Sequence, residues 1–321
     1  MKLRTITKVL AAMERPEGVG ATVRRSIGVM GMRNFDPFLM LDHFNIGLNS
    51  GFPEHPHSGQ ETITYVLSGG VAHEDFTGSR GVLYEGDLQF MTAGKGVVHS
   101  EMPLPEHMHG RTSGIQLWVD LPENLKETKP RYRDLKKKAI PEVVEQDGKL
   151  RVRVISGSSY GVESVKELAY TPLDYYYVTM KPGATYTQKV PEDFNFFLYP
   201  MRGSSLVIGH DTKLPAYNTC FFNRDGDTIV AENKGTSEDD ISEFVLIGGQ
   251  VLDQKVVHYG PFVATSQGKI REILENYSFA RNGFENVATW RGLISGGVTE
   301  KMVKEELDCK KKDENYDRSE L

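Results

Sequence analysis

The sequence predicts an all-β protein: two similar barrels of the β-sandwich or jelly-roll kind, followed by a C-terminal helix. Short alternating or apolar runs, among them ETITYVL, GIQLWVDL, KLRVRVISG, DYYYVTM and SEFVLIGG, recur along most of the chain with Gly, Pro, Asn or Asp between them. That is the pattern of antiparallel strands. The two flanks of one polar break run through a similar order of strands, and each carries a Gly-Asp turn, EGDLQF at residues 85–90 and DGDTIV at 225–230. Two copies of one small barrel explain this weak internal repeat, and closure leaves no exposed strand edge. A length of 321 residues also favours two domains at roughly 150 residues each.

Taken in order, the opening MKLRTITKVLAAMERPEG is basic, but Thr5, Thr7 and Lys8 interrupt its apolar stretch, which falls short of the roughly 7 to 15 residues of a secretory signal. It reads as a first strand leading into the turn GVGATVRRSIG. The first domain is expected over residues 1–135. A polar, Lys- and Glu-rich stretch at 121–148 marks the linker, placed at 136–150, whose Lys136-Lys137-Lys138 run reads as a solvated face. The second domain follows over 151–290 and includes the helix TSQGKIREILENYSFARNG. Thr265 or Ser266 caps it, Ile270, Ile273, Leu274 and Tyr277 form its apolar stripe, and Asn282-Gly283 ends it. Residues 291–321 are charged and are expected to be a disordered tail.

Composition narrows the function classes. The chain is 39% hydrophobic and 26% charged with a net charge of -6, an ordinary globular balance that argues against a nucleic-acid coat. No basic helix, zinc-finger spacing or RNA-binding signature appears, so direct sequence-specific nucleic-acid binding is not expected. Two cysteines, Cys220 and Cys309, exclude a disulfide framework and suit a reducing compartment. No run approaches the roughly 18 apolar residues of a membrane span. A location in cytoplasm and nucleus is expected.

Seven of nine histidines precede residue 110, and these contain the chemistry. Side chains alternate along a strand, so His55 and His57 point the same way, as do His99 and Glu101. Facing one another in a barrel, the pairs would surround one point with three imidazoles and a carboxylate. That set suits Fe, Mn, Ni, Cu or Zn, and an octahedral ion would keep two positions open. No cysteine lies nearby, so an open site is favoured over structural zinc. His43, in LMLDHFN, reads as a core or neighbouring-layer residue; His73, His107 and His109 read as unconnected with a metal. The second domain has no HxH pair, and His210 and His258 stand 48 positions apart.

HPHSGQETITYVLSG and GDLQFMTAGKGVVHSE resemble the two cupin motifs. With DPFLMLDHF, GFPEHPHSGQETITYVL, AHEDFTG, GIQLWVDLP, FVLIGG and HYGPFV, the chain more specifically resembles the pirin family of bicupins, from about residue 18 to 290. The second motif departs from the general cupin pattern, with Pro103 where Asn is usual. The resemblance implies two cupin domains and a metal held by His55, His57, His99 and Glu101. General cupins use the carboxylate at Glu61, and alternation does not decide between Glu61 and Glu101. The resemblance also implies iron, although other divalent transition metals fit the same donors. Two roles follow from it. One is quercetin 2,3-dioxygenase activity, in which O₂ cleaves a flavonol, with Glu61 as candidate base and Phe52, Phe90 and Met91 as candidate lining. The other is that of an iron- and redox-dependent transcriptional coregulator with transcription-factor protein partners, to which Arg24 and Arg25 would offer a basic contact. The alternative is a metal-bearing interaction module without turnover.

Overall fold

A computed structural model describes residues 1–47, 50–165 and 168–307. The predicted class holds: the chain folds into two β-sandwich barrels with a helix after the second. Each barrel pairs a seven-stranded antiparallel sheet with a four-stranded one. In the first, the large sheet includes Gln60–Ser68, Thr112–Asp120 and Phe38–Ile46, and the small one runs Phe52–His57, Val97–Pro103, Gly70–Asp75, Arg80–Tyr84. The second repeats the plan with Phe194–Arg202, Ser242–Gln250 and Leu173–Met180 in its large sheet. The repeat seen in the sequence is thus a repeat of architecture.

The large sheets pack against each other. Ile63, Tyr65, Phe90, Ile115 and Leu117 meet Tyr175, Phe197, Tyr199 and Ile247 in one buried apolar cluster. Side chains one position along point into the barrels, and there the two halves differ. The second interior is filled by Val152, Tyr176, Phe196, Leu198, Phe244 and their neighbours, whereas the first keeps Thr64, Gln116 and Trp118 beside an open cavity.

Both chain ends cross the spans 1–135 and 151–290 expected from sequence. The strand Ile6–Ala11 pairs with Asn218–Phe222 in the second barrel. The helix Gln267–Ser278 starts at Ser266, whose hydroxyl accepts from the Lys269 N–H, and ends short of Asn282-Gly283. It lays Ile270, with the partly buried Ile273, Leu274 and Tyr277, on Phe76, Met91, Val97 and Val98 of the first barrel.

The expected disordered tail is corrected for residues 291–307. Ile294, Val303 and Leu307 are buried against Ala72, Val82, Met102 and Leu104, with Leu293, Val298 and Met302 packed beside them, because spaced apolar side chains suffice to dock the segment despite the charges between them. Cys309 and the Lys310-Lys311-Lys312 run lie outside the described residues. Among the described residues, no helix is long and apolar enough to cross a membrane.

Candidate metal centre

His55 and His57 lie on Phe52–His57, and His99 and Glu101 on its antiparallel neighbour Val97–Pro103. The register pairs His99 with His55, so strand alternation and pairing together bring the imidazoles to one point. One ligand nitrogen from each of the three lies within 4.8 Å of the others. Nε2 of His55 and Nε2 of His99 are 3.0 Å apart, and Glu101 Oε2 is 4.0 Å from His99 Nε2. With bonds of about 2.1 Å, two donors on one ion stand up to about 4.2 Å apart, so small side-chain adjustments close this set on a first-row metal.

The surroundings orient the donors. His55 Nδ1–H donates to the Pro53 carbonyl at 2.8 Å, which keeps the proton on Nδ1 and leaves Nε2 with a free lone pair. His57 Nδ1 sits 2.9 Å from the Gln60 amide, and His57 Nε2 is buried with no hydrogen-bond partner among the described residues. An orphaned imidazole nitrogen beside two others is the feature a bound cation would explain. Burial, reinforced by neighbouring imidazoles, holds His57 and His99 well below the usual histidine range. Both are therefore neutral at pH 7, as coordination requires.

Glu101 accepts from the Thr64 hydroxyl at 3.2 Å and from the Gln116 amide at 3.3 Å. Burial raises its proton affinity, against the pull of His55, His73 and the Thr64 bond. His73 lies beside Glu101 on the next strand but bonds Gln89 and stacks on Tyr132. His107 pairs with Glu300, and His109 lies against Tyr84.

Glu61 requires correction, because the strand breaks at Ser58-Gly59 and resumes in the large sheet with Glu61 facing the second barrel. Gly59 has φ +75°, and a Cβ there would strike the Val263 carbonyl. The Glu61 carboxylate accepts from Thr92 Oγ1 at 2.7 Å and from the Tyr170 and Thr171 N–H groups at 3.1 Å. It is a strut between barrels and is not among the residues that line the cavity beside the imidazoles.

The donors open onto a cavity of about 740 Å³ with Val23, Leu39, Phe44, Phe52 and Trp118 among its walls. Phe52 lines it as expected; Phe90 is in the inter-barrel core and Met91 under the helix. Arg25 also lines it, held by Asp42 at 2.6 and 2.7 Å and by Glu17 at 2.7 Å, while Arg24 binds Glu14 and covers the Tyr217 ring. Neither is a free basic contact. His258 and Pro261 reach the cavity from the hairpin Val257–Tyr259 and Phe262–Ala264. Sequence reasoning missed these, along with Thr64, Gln116 and Trp118; alternation from Thr62 through Thr64 was the available signal for Thr64, and none existed for His258.

Comparison with known proteins agrees with this architecture. The Pirin family profile matches residues 20–119, and that of the pirin C-terminal cupin domain matches 175–283. Human Pirin is 41% identical over 295 residues, which covers 91% of this chain and 98% of the human one. The chain belongs to the pirin family. Another relative, Pirin-like protein 2 of Arabidopsis thaliana, is 41% identical over 290 residues, 89% of this chain and 87% of the plant one. Among solved structures, a quercetin 2,3-dioxygenase from Acinetobacter baumannii has a TM-score of 0.80 at 26% identity, over 88% of this chain and 99% of its own. A bacterial pirin from Escherichia coli, solved with nickel(II), shares the fold with a TM-score of 0.60 at 19% identity, over 76% of this chain and 99% of its own.

Proposed function

We propose that this pirin-family chain is an iron-dependent oxygenase of the quercetin 2,3-dioxygenase type, acting on a flavonol and O₂ in cytoplasm and nucleus. The observation that carries the reading is the convergence of three imidazoles, two of them held neutral by burial, beside a cavity whose walls are largely apolar and whose volume suits a planar molecule of drug size. His55, His57, His99 and Glu101 would hold the ion, which supplies Lewis acidity that favours an ionised substrate hydroxyl. The protein does the rest. Phe44, Phe52 and Leu39 give the flavonol rings an apolar wall and exclude water. Glu101, fixed by Thr64 and Gln116 beside the cavity, is the carboxylate at hand for the hydroxyl proton.

Iron-loaded protein is expected to take up O₂ and bleach flavonol absorbance, and His57→Ala is expected to lose both iron and turnover. A fully iron-loaded sample that turns over no flavonol overturns the oxygenase reading. Such a result, joined to partner affinity that differs between ferrous and ferric protein, would favour the interaction module and coregulator role instead.

A further inference from the structure

The ligand-bearing strands carry a second polar row on their outer face. Alternation sends His99 and Glu101 into the barrel and Ser100 out of it, and Glu74, paired with Ser100 on Gly70–Asp75, points outward too. On the other side the register slips: His99 pairs with His55 but Glu101 with Phe52, so Pro53 and Glu54 together oppose Ser100. This is a β-bulge beside the centre, a feature that re-aims neighbouring side chains.

One short turn, residues 292–295, grips all three outward residues. Gly292 N–H donates to Glu54 Oε1 at 3.2 Å, Ile294 N–H donates to Glu74 Oε1 at 2.8 Å, and the Ser295 and Ser100 hydroxyls are 3.0 Å apart. Gly292 is wedged between the carboxylates. A Cβ there would stand 2.9 Å from Glu54 Oε1 and 2.8 Å from Glu74 Oε1. Ile294 anchors the turn from beneath, with Val303 and Leu307 beyond it. Every strand the turn touches is thus a strand of the metal sheet, and two of its three partners adjoin a ligand in sequence.

We infer that the turn 292–295 is a positioning element for the metal centre. By clamping the Glu54 bulge against Ser100 it sets the separation of His55 and His99, and its docking and metal occupancy stabilise each other. This rests on the metal-centre part of the proposed function and is independent of the substrate. The coupling is reciprocal by thermodynamic necessity: what the docked turn contributes to metal affinity, the bound metal returns as protection of the turn.

Cobalt(II) alone is the probe, followed by its visible absorption bands and by transfer to a chelator. Loss of a partner that orients a metal ligand costs about 10- to 100-fold in affinity; the turn acts one bond further out, so Ser295→Ala and Gly292→Ala are expected to release cobalt about tenfold faster, with shifted bands. In the unaltered chain, hydrogen exchange across residues 292–307 is expected to slow when cobalt binds. Ser295→Ala removes one hydroxyl and reports even where Gly292→Ala fails to fold. Equal release rates and bands in parent and variant, or exchange indifferent to cobalt, overturn the inference alone. A parent chain that retains no cobalt overturns the metal-centre reading itself.

Discussion

His43 stands between the barrels, with Nδ1 3.1 Å from the Tyr199 hydroxyl and Nε2 3.2 Å from Ser113 Oγ. Burial, helped by Arg24, lowers its pKa to about 4. The unfolded chain then binds a proton near pH 6.5 that the folded chain refuses until about pH 4. His43 therefore contributes stability that is present above pH 6.5 and is lost as pH falls toward 4. His43 alone should contribute a loss on the order of 1 to 3 kcal/mol between urea titrations of metal-free protein at pH 7 and pH 5, added to losses of the same sign from His57 and His99, and His43→Asn should reduce the slope by its share. An equal slope in the variant would remove His43 as a source. The grouping of His55, His57 and His99 was legible because alternation is local, but the choice between Glu101 and Glu61 was not, since the direction of Glu61 depends on a break at Gly59, where the Val263 carbonyl approaches from 204 positions away.

At the scale of elements, the helix Gln267–Ser278 was readable from its cap and stripe, yet its partner was not. A stripe of Ile270, Ile273, Leu274 and Tyr277 says only that something apolar faces it; the structure supplies Phe76, Val97 and Val98, next to the metal strand. Ile270→Ala, which removes buried atoms from that contact, should cost about 2 to 4 kcal/mol in denaturant unfolding. Because Val97 and Val98 precede His99, the same variant should also weaken metal retention. An unfolding midpoint within error of the parent would place the helix outside the cooperative unit. The segment 291–307 was misjudged because it was averaged with the strongly charged stretch after Leu307, which hid its own spaced apolar residues.

The whole molecule is two barrels that exchange their ends. The first strand completes the second sheet, and the last described segments cover the first barrel. The internal repeat and the polar break made the two-barrel plan legible, but which edge a terminal strand joins is set by distant pairing that no local pattern encodes. Separate expression of residues 1–135 and 136–321 should yield pieces without cooperative unfolding, whereas the two mixed should recover near-UV circular dichroism and metal binding; independent folding of either piece would contradict this. The exchange also orders events during synthesis. The metal strands are finished by residue 103, yet the turn that grips their outer face begins at residue 292, a gap of 189 residues. At about 5 to 20 residues per second that is roughly 10 to 40 s of elongation. The nascent chain therefore exposes its imidazoles long before the turn that braces them has been made, so on the proposed reading a firmly held metal waits until residues 292–295 have docked.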